Sequence, residues 1–170
     1  MLGNGKVIGN FKRRGMILLV MDLNETIDLC RESLRLRRLD DPEHHATLFN
    51  SSLTLCSCFT HTRKNEDVEE AIHRCQEPLA ALSSLHPVWF FSYARLQEAY
   101  LSRYQILHDP ADLSLAVENF RLASSHFTQG FLERIIQVYN WAIAAGQHGH
   151  GSTLEAYSTF FELLVAHLTT

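Results

Sequence analysis

Ten histidines and four cysteines are the groups in this chain best suited to nucleophilic or metal chemistry. A cysteine nucleophile needs a base within hydrogen-bond reach, and the closest such pair in sequence is His73 with Cys75. On a helix, residues two apart point to different sides, so the spacing denies this pair contact. The densest histidine groups are His44-His45 and His148-Gly-His150. Neither has the i, i+4 spacing with a nearby acid that marks a helical metal site, so both are expected as loop or cap residues. His86 and His108 are expected in inter-helix loops. Gly3-Asn-Gly5 and Gly9 follow no strand pattern and precede no Gly-Lys-Ser/Thr, which excludes a phosphate loop. The expectation is no catalytic residue, no metal, no cofactor and no enzymatic activity.

The elements that would position these side chains announce themselves by repetition. Asp22-Leu-Asn-Glu-Thr-Ile-Asp-Leu-Cys30 returns 45 positions later as Asp67-Val-Glu-Glu-Ala-Ile-His-Arg-Cys75. A looser copy follows as Asp112-Leu-Ser-Leu-Ala-Val-Glu-Asn-Phe120, and Pro42 and Pro87 share the same separation. A period of this size is the mark of stacked helical hairpins, each leaning on the next to bury its apolar face. Leu23, Ile27, Cys30 and Leu34 form one apolar stripe, repeated by Val68, Ile72, Cys75 and Leu79, then by Leu113, Val117 and Phe120. Thr26, Ala71 and Ala116 hold one turn position small, which would let a neighbouring helix approach. Asp22 with Glu25, Asp67 with Glu70, and Ser152 with Glu155 have capping-box spacing at the helix starts. A fourth stripe of Tyr157, Phe160 and Leu164 follows at a slightly shorter separation.

Partner helices lie between. The first is expected over Glu43–Thr60 with Leu48, Phe49, Leu53, Cys56 and Phe59 inward. The second starts after Pro87 and carries Trp89, Phe90, Tyr93, Leu96, Tyr100, Leu101 and Tyr104. The third spans about Phe131–Ala145, with Leu132, Ile135, Ile136, Tyr139 and Ile143, and ends at the glycines before Gly151. Not all of the aromatic residues on the second can face inward, so some could line a groove. Sustained alternation is missing, so no sheet is expected.

Charge narrows the partners. Fifteen basic against nineteen acidic residues give −4, a mixed solvated surface, and the short basic runs at Lys12–Arg14 and Arg35–Arg38 do not argue for nucleic acid. The apolar run Met16–Met21 is too short for a membrane span or a secretory core. Cys30 and Cys75 occupy equivalent repeat positions, and Cys56 and Cys58 fall on different faces of one helix, unlike a secreted disulfide framework. A reduced, cytoplasmic chain is expected. Residues 1–21 read as a non-repeat lead-in, poorly ordered or a helix replaced by unrelated sequence, and 22–170 as the repeat domain.

These repeats resemble the tetratricopeptide-like arrays of fungal proteins that carry a C-terminal CHAT domain, a caspase-like protease module. The resemblance rests on Asp67-Val-Glu-Glu-Ala-Ile72, His86-Pro87, Trp141-Ala142, Gly151-Ser-Thr-Leu-Glu-Ala-Tyr157 and Phe161-Glu-Leu-Leu164. It covers about residues 22–168 and reaches no protease module, so no His–Cys pair is carried over. It implies an all-α fold, a right-handed α-solenoid of roughly three and a half antiparallel helix pairs. The function expected is a protein–protein interaction scaffold or sensor segment; the alternative is a partial oligomerisation or regulatory module of a larger CHAT protease protein. By analogy with such stacks the first helix of each pair would meet a protein or peptide partner. Arg31, Arg35, His73, Gln76 and Arg121 are the candidate contacts, being polar and off the apolar stripe, with arginine suited to bidentate pairing. Self-association through the C-terminal helix is expected, because its apolar residues cover more than one face.

Overall fold

The computed structural model describes residues 21–38 and 41–169, and the described residues are helical throughout, joined by turns. All but one residue of the expected lead-in, and the basic run at Lys12–Arg14, lie outside them. We number the helices α1 (21–36 within the described residues), α2 (Pro42–Thr62), α3 (Asn65–Ala81), α4 (Val88–Leu107), α5 (Pro110–Ser125), α6 (Phe131–Gln147) and α7 (Thr153–Leu168). From α2 onward each helix packs on the next, and α2 also touches α4. The fold is all-α, with each element where the repeat places it, to within about two residues.

The ends of the helices differ from the capping-box expectation. Asp41 and Asp109 cap α2 and α5, accepting from the backbone N–H groups of Glu43 and Ala111 at 2.9 Å, and each is followed by Pro at the first helical position. The predicted Asp67 cap fails because α3 begins two residues earlier, at Asn65, which leaves Asp67 inside the first turn. Glu70, its supposed box partner, bonds Arg31 and Arg74 instead. Asp22 already lies within helix in the described residues, with its carbonyl accepting from Thr26 Oγ1. Ser152 precedes α7 but its hydroxyl accepts from Trp141 Nε1 at 2.9 Å, so the side chain locks α6 to α7 rather than capping. Arg63 and His108 are 45 positions apart, and both adopt the left-handed conformation (φ 61° and 57°). Each closes its helix with a backbone bond to Phe59 or Tyr104, and the next helix starts two residues on.

Packing follows the repeat where it is strongest. Ala71, Ala116 and Ala156, equivalent positions on α3, α5 and α7, are all 0% exposed, so the small side chain lies where helices meet. Thr26, expected in the same role on α1, is exposed. Two apolar clusters form. One gathers Ile27, Leu55, Phe59, Val68, Ile72, Cys75 and Leu96; the other gathers Leu113, Val117, Phe120, Val138, Trp141 and Leu163. Leu101 touches both and makes them continuous.

Several inward assignments need correction. Leu53 is only half-buried, while Leu55 and Cys58, off the expected stripe, are fully buried. The reason is that α2 is covered on several sides, by α3, by α4 and by α1 through Asn24 beside Cys58. On α6 most of the expected stripe faces outward: Leu132, Ile136, Tyr139 and Ile143 are exposed, Ile135 alone of it packs on the core, and Val138, Trp141, Ala142 and Ala145 form the main core contact. His44 and His45 are buried in the first turn of α2, not in a loop.

Candidate functional site

The five candidate contacts all lie exposed on the first helices of the pairs, α1, α3 and α5, and their polar groups are largely engaged. Arg31 spans two of these helices, bonding Glu70 through Nε at 3.1 Å and Nη2 at 2.6 Å, and also Asp28 on its own helix. Arg35 and Arg121 each form an ion pair one turn back, with Glu32 and Glu118. Gln76 donates to the Tyr100 hydroxyl at 3.5 Å, and His73 points to solvent while Cys75 beside it is buried. Hydrogen bonding to Glu70 raises the Arg31 pKa, and Glu118, with Glu155 beyond it, raises that of Arg121. Glu70 and Glu155 are repeat-equivalent, so the same cross-helix charge arrangement occurs twice. Arg31 stitches α1 to α3, while Arg35 and Arg121 pair within their own helices.

A polar groove sits instead on the second helices of the pairs. Gln97 and Gln105 on α4 face Asn140 and Gln147 on α6 across a cavity of about 280 Å³, floored by Leu101 and by Phe120 of α5. The four are one face of each helix, two turns apart, so the groove displays amides at both ends. Gln97 is 4% exposed; its Nε2 donates to Gln137 Oε1 at 2.7 Å, while its own Oε1 has no partner. A buried carbonyl without a donor costs about 1–3 kcal/mol, and Gln97 bears that cost in the lining of the groove. Exposed amides carry both donor and acceptor and can read a peptide backbone on both sides. Glu98, paired with Arg95, sits at the boundary with a second hollow of about 270 Å³ between α2 and α4, lined by Leu53, Ser57, Thr60 and Ser102.

No family model, curated protein or solved structure matches this chain. Its reading therefore rests on the geometry, and the CHAT-array resemblance is carried only as a proposal.

The sequence did not single out the amide face. Gln97, Gln105, Asn140 and Gln147 are scattered over two elements and belong to no motif; the signal was their recurrence at seven- and eight-residue spacing on the partner helices. The aromatic groove foreseen on α4 is only partly present: Phe90 and Tyr100 are buried, Trp89, Tyr93 and Tyr104 half-buried, and the exposed ring is Phe91. Among the described residues no group of three or more His, Cys, Asp or Glu side chains converges to hold a metal ion, and no helix is long and apolar enough to cross a membrane.

Proposed function

We propose that this chain is a protein-interaction module without catalysis of its own, built as a tetratricopeptide-like right-handed α-solenoid, and that it holds an extended peptide segment between α4 and α6. The sequential packing of the helices and the buried alanines at equivalent positions support the stacked arrangement. The peptide reading is carried by one observation: the buried, unpartnered Gln97 carbonyl in a groove lined by amides. An extended peptide supplies alternating N–H and C=O groups at a spacing that amides on two parallel rows can match. On this reading the partner lies against the second helices. The arginines Arg31, Arg35 and Arg121, with His73 and Gln76, form the competing surface.

Selection from a random peptide display library tests the placement. Selected peptides are expected to lose about 5–20-fold in affinity with Asn140→Ala or Gln105→Ala, the loss of one to two hydrogen bonds. They are expected to be unaffected by charge reversal at Arg31 and Arg121. Loss with the arginine reversals and not with the amide variants would move the site to the first helices.

The second reading, a partial oligomerisation or regulatory module of a larger CHAT protease protein, is favoured by the outer face of α6 and α7. Leu132, Ile136 and Tyr139 on α6 and Leu154, Phe161 and Val165 on α7 are exposed together. A contiguous apolar face of this kind marks an interaction surface.

A further inference from the structure

A second cavity, remote from the amide groove along α4, lies where the N-terminal turns of α2 and α4 meet. It measures about 370 Å³, in the range of small-molecule sites, and is lined chiefly by His45, Phe49, His86, Pro87, Val88 and Phe91. Phe49 and Phe91 form an aromatic wall, with ring centroids 6.1 Å apart. His45 is the one buried titratable group of the lining, 6% exposed, and its Nδ1 has no hydrogen-bond partner. A wholly apolar ligand would leave that nitrogen unpaired. His86 lies 5.9 Å away between ring centroids, and its Nδ1 accepts from the Val88 backbone N–H at 3.2 Å. A neutral His86 therefore carries its proton on Nε2, a donor at the cavity rim.

We propose that this cavity binds a neutral phenol, its ring against Phe49 and Phe91 and its hydroxyl donating to His45 Nδ1. The local charges disfavour an anion. The groups that face His45 are His44 beside it on α2, His86 from the α3–α4 loop, Glu77 from α3 and Asp41 at the α2 cap. Burial, then charge repulsion from His44 and His86, lower the His45 pKa and favour its neutral ring, while Glu77 and Asp41 pull the other way. A carboxylate would meet the like charges of Glu77 and Asp41, whereas a phenol meets an acceptor with a free lone pair.

The test is ring C2–H proton spectroscopy of the histidines during titration with p-cresol, toluene and 4-methylbenzoate. At about pH 7.5, p-cresol is expected to bind at least about tenfold more tightly than toluene, the worth of roughly one hydrogen bond. Its affinity is expected to fall as the pH drops through the His45 titration, because a protonated Nδ1 is a donor and cannot accept. By linkage, saturating p-cresol lowers the His45 midpoint in the wild-type protein. His45→Phe should abolish the preference for p-cresol over toluene; should that variant not fold, the wild-type midpoint shift decides. Equal binding of toluene and p-cresol, tighter binding of 4-methylbenzoate, or p-cresol binding that leaves the His45 midpoint unmoved would each overturn the proposal. N-acetyltyrosinamide separates the sources. Affinity equal to that of p-cresol supports a tyrosine side chain of a peptide, and binding of p-cresol alone supports a small free phenol.

Discussion

Arg74 is a cation held inside the structure, its side chain 8% exposed between α2 and α3. Its guanidinium bonds Glu70 and the Ser51 hydroxyl. The Arg31 guanidinium, followed by Arg74, holds the Glu70 carboxyl below its ordinary range. Removing one partner of a buried pair costs most when the charge left behind is the buried one: without Glu70 the buried Arg74 is stranded, whereas without Arg74 the partly exposed Glu70 keeps Arg31. Glu70→Ala is therefore expected to cost about 2–4 kcal/mol in urea unfolding, and Arg74→Met under about 1.5 kcal/mol. The cysteines are free, and burial pushes the Cys75 thiol up to about 12 while it donates to Ser52 Oγ. Cys56, Cys58 and Cys75 should react with a thiol reagent far more slowly than the half-buried Cys30. Comparable labelling rates for all four would contradict this. Burial also lowers the pKa of His45 and His126. The unfolded chain then takes up protons at these rings, near the ordinary value of 6.5, before the native chain does. Stability should fall as the pH drops below that value, and the urea midpoint should be lower at about pH 5.5 than at about pH 7.5. Replacing His45 and His126 together by Gln should shrink that difference.

At the scale of elements, the alanine at each helix crossing and the left-handed residue at each tight turn do most to set the geometry. Ala71 has no exposed surface, so Ala71→Leu overfills the crossing and is expected to cost about 1–3 kcal/mol. Thr26 is exposed at the equivalent position of α1, and Thr26→Leu should change stability by less than about 0.5 kcal/mol. The contrast checks that burial, not repeat position alone, makes the residue matter. Arg63 and His108 hold φ near +60°, a conformation that costs a side-chain-bearing residue about 1–2 kcal/mol relative to the right-handed one. Glycine carries no such cost, although it gives up more chain entropy on folding. Arg63→Gly and His108→Gly are each expected to raise the thermal midpoint, by the equivalent of about 0.5–1 kcal/mol.

At the scale of the whole molecule, α6 and α7 carry an exposed set of apolar residues, among them Leu132, Ile136, Leu154 and Phe161. Tyr157 is exposed on α7, whereas its counterparts Ile72 and Val117 are buried. Association that grows with concentration is the expected outcome in light scattering over a dilution series, and Phe161→Glu should suppress it. A monomer at every concentration in both proteins would show that the face is stable in water without a partner.

Repetition in the sequence determined the helices and their order. A 45-residue period, with proline and aspartate at the turns, restricts the backbone locally, and local restrictions are written residue by residue. The buried alanines of α3, α5 and α7 were legible for the same reason, since one small position recurs in each. What the sequence left open was which side of each helix would be covered. Two candidate stripes run along α6, and only its packing against α5 and α7 turned Trp141 inward and Ile136 outward. Asp67 carries a cap spacing that no local rule could reject until α3 was seen to start at Asn65. The candidate arginines are exposed, but the pairing of Arg31 with Glu70 on the next helix depends on helix-to-helix distance. The amide groove and the His45 cavity each join residues about 40 positions apart. Helix periodicity specifies direction around one axis, and only the stacking of axes decides which directions meet.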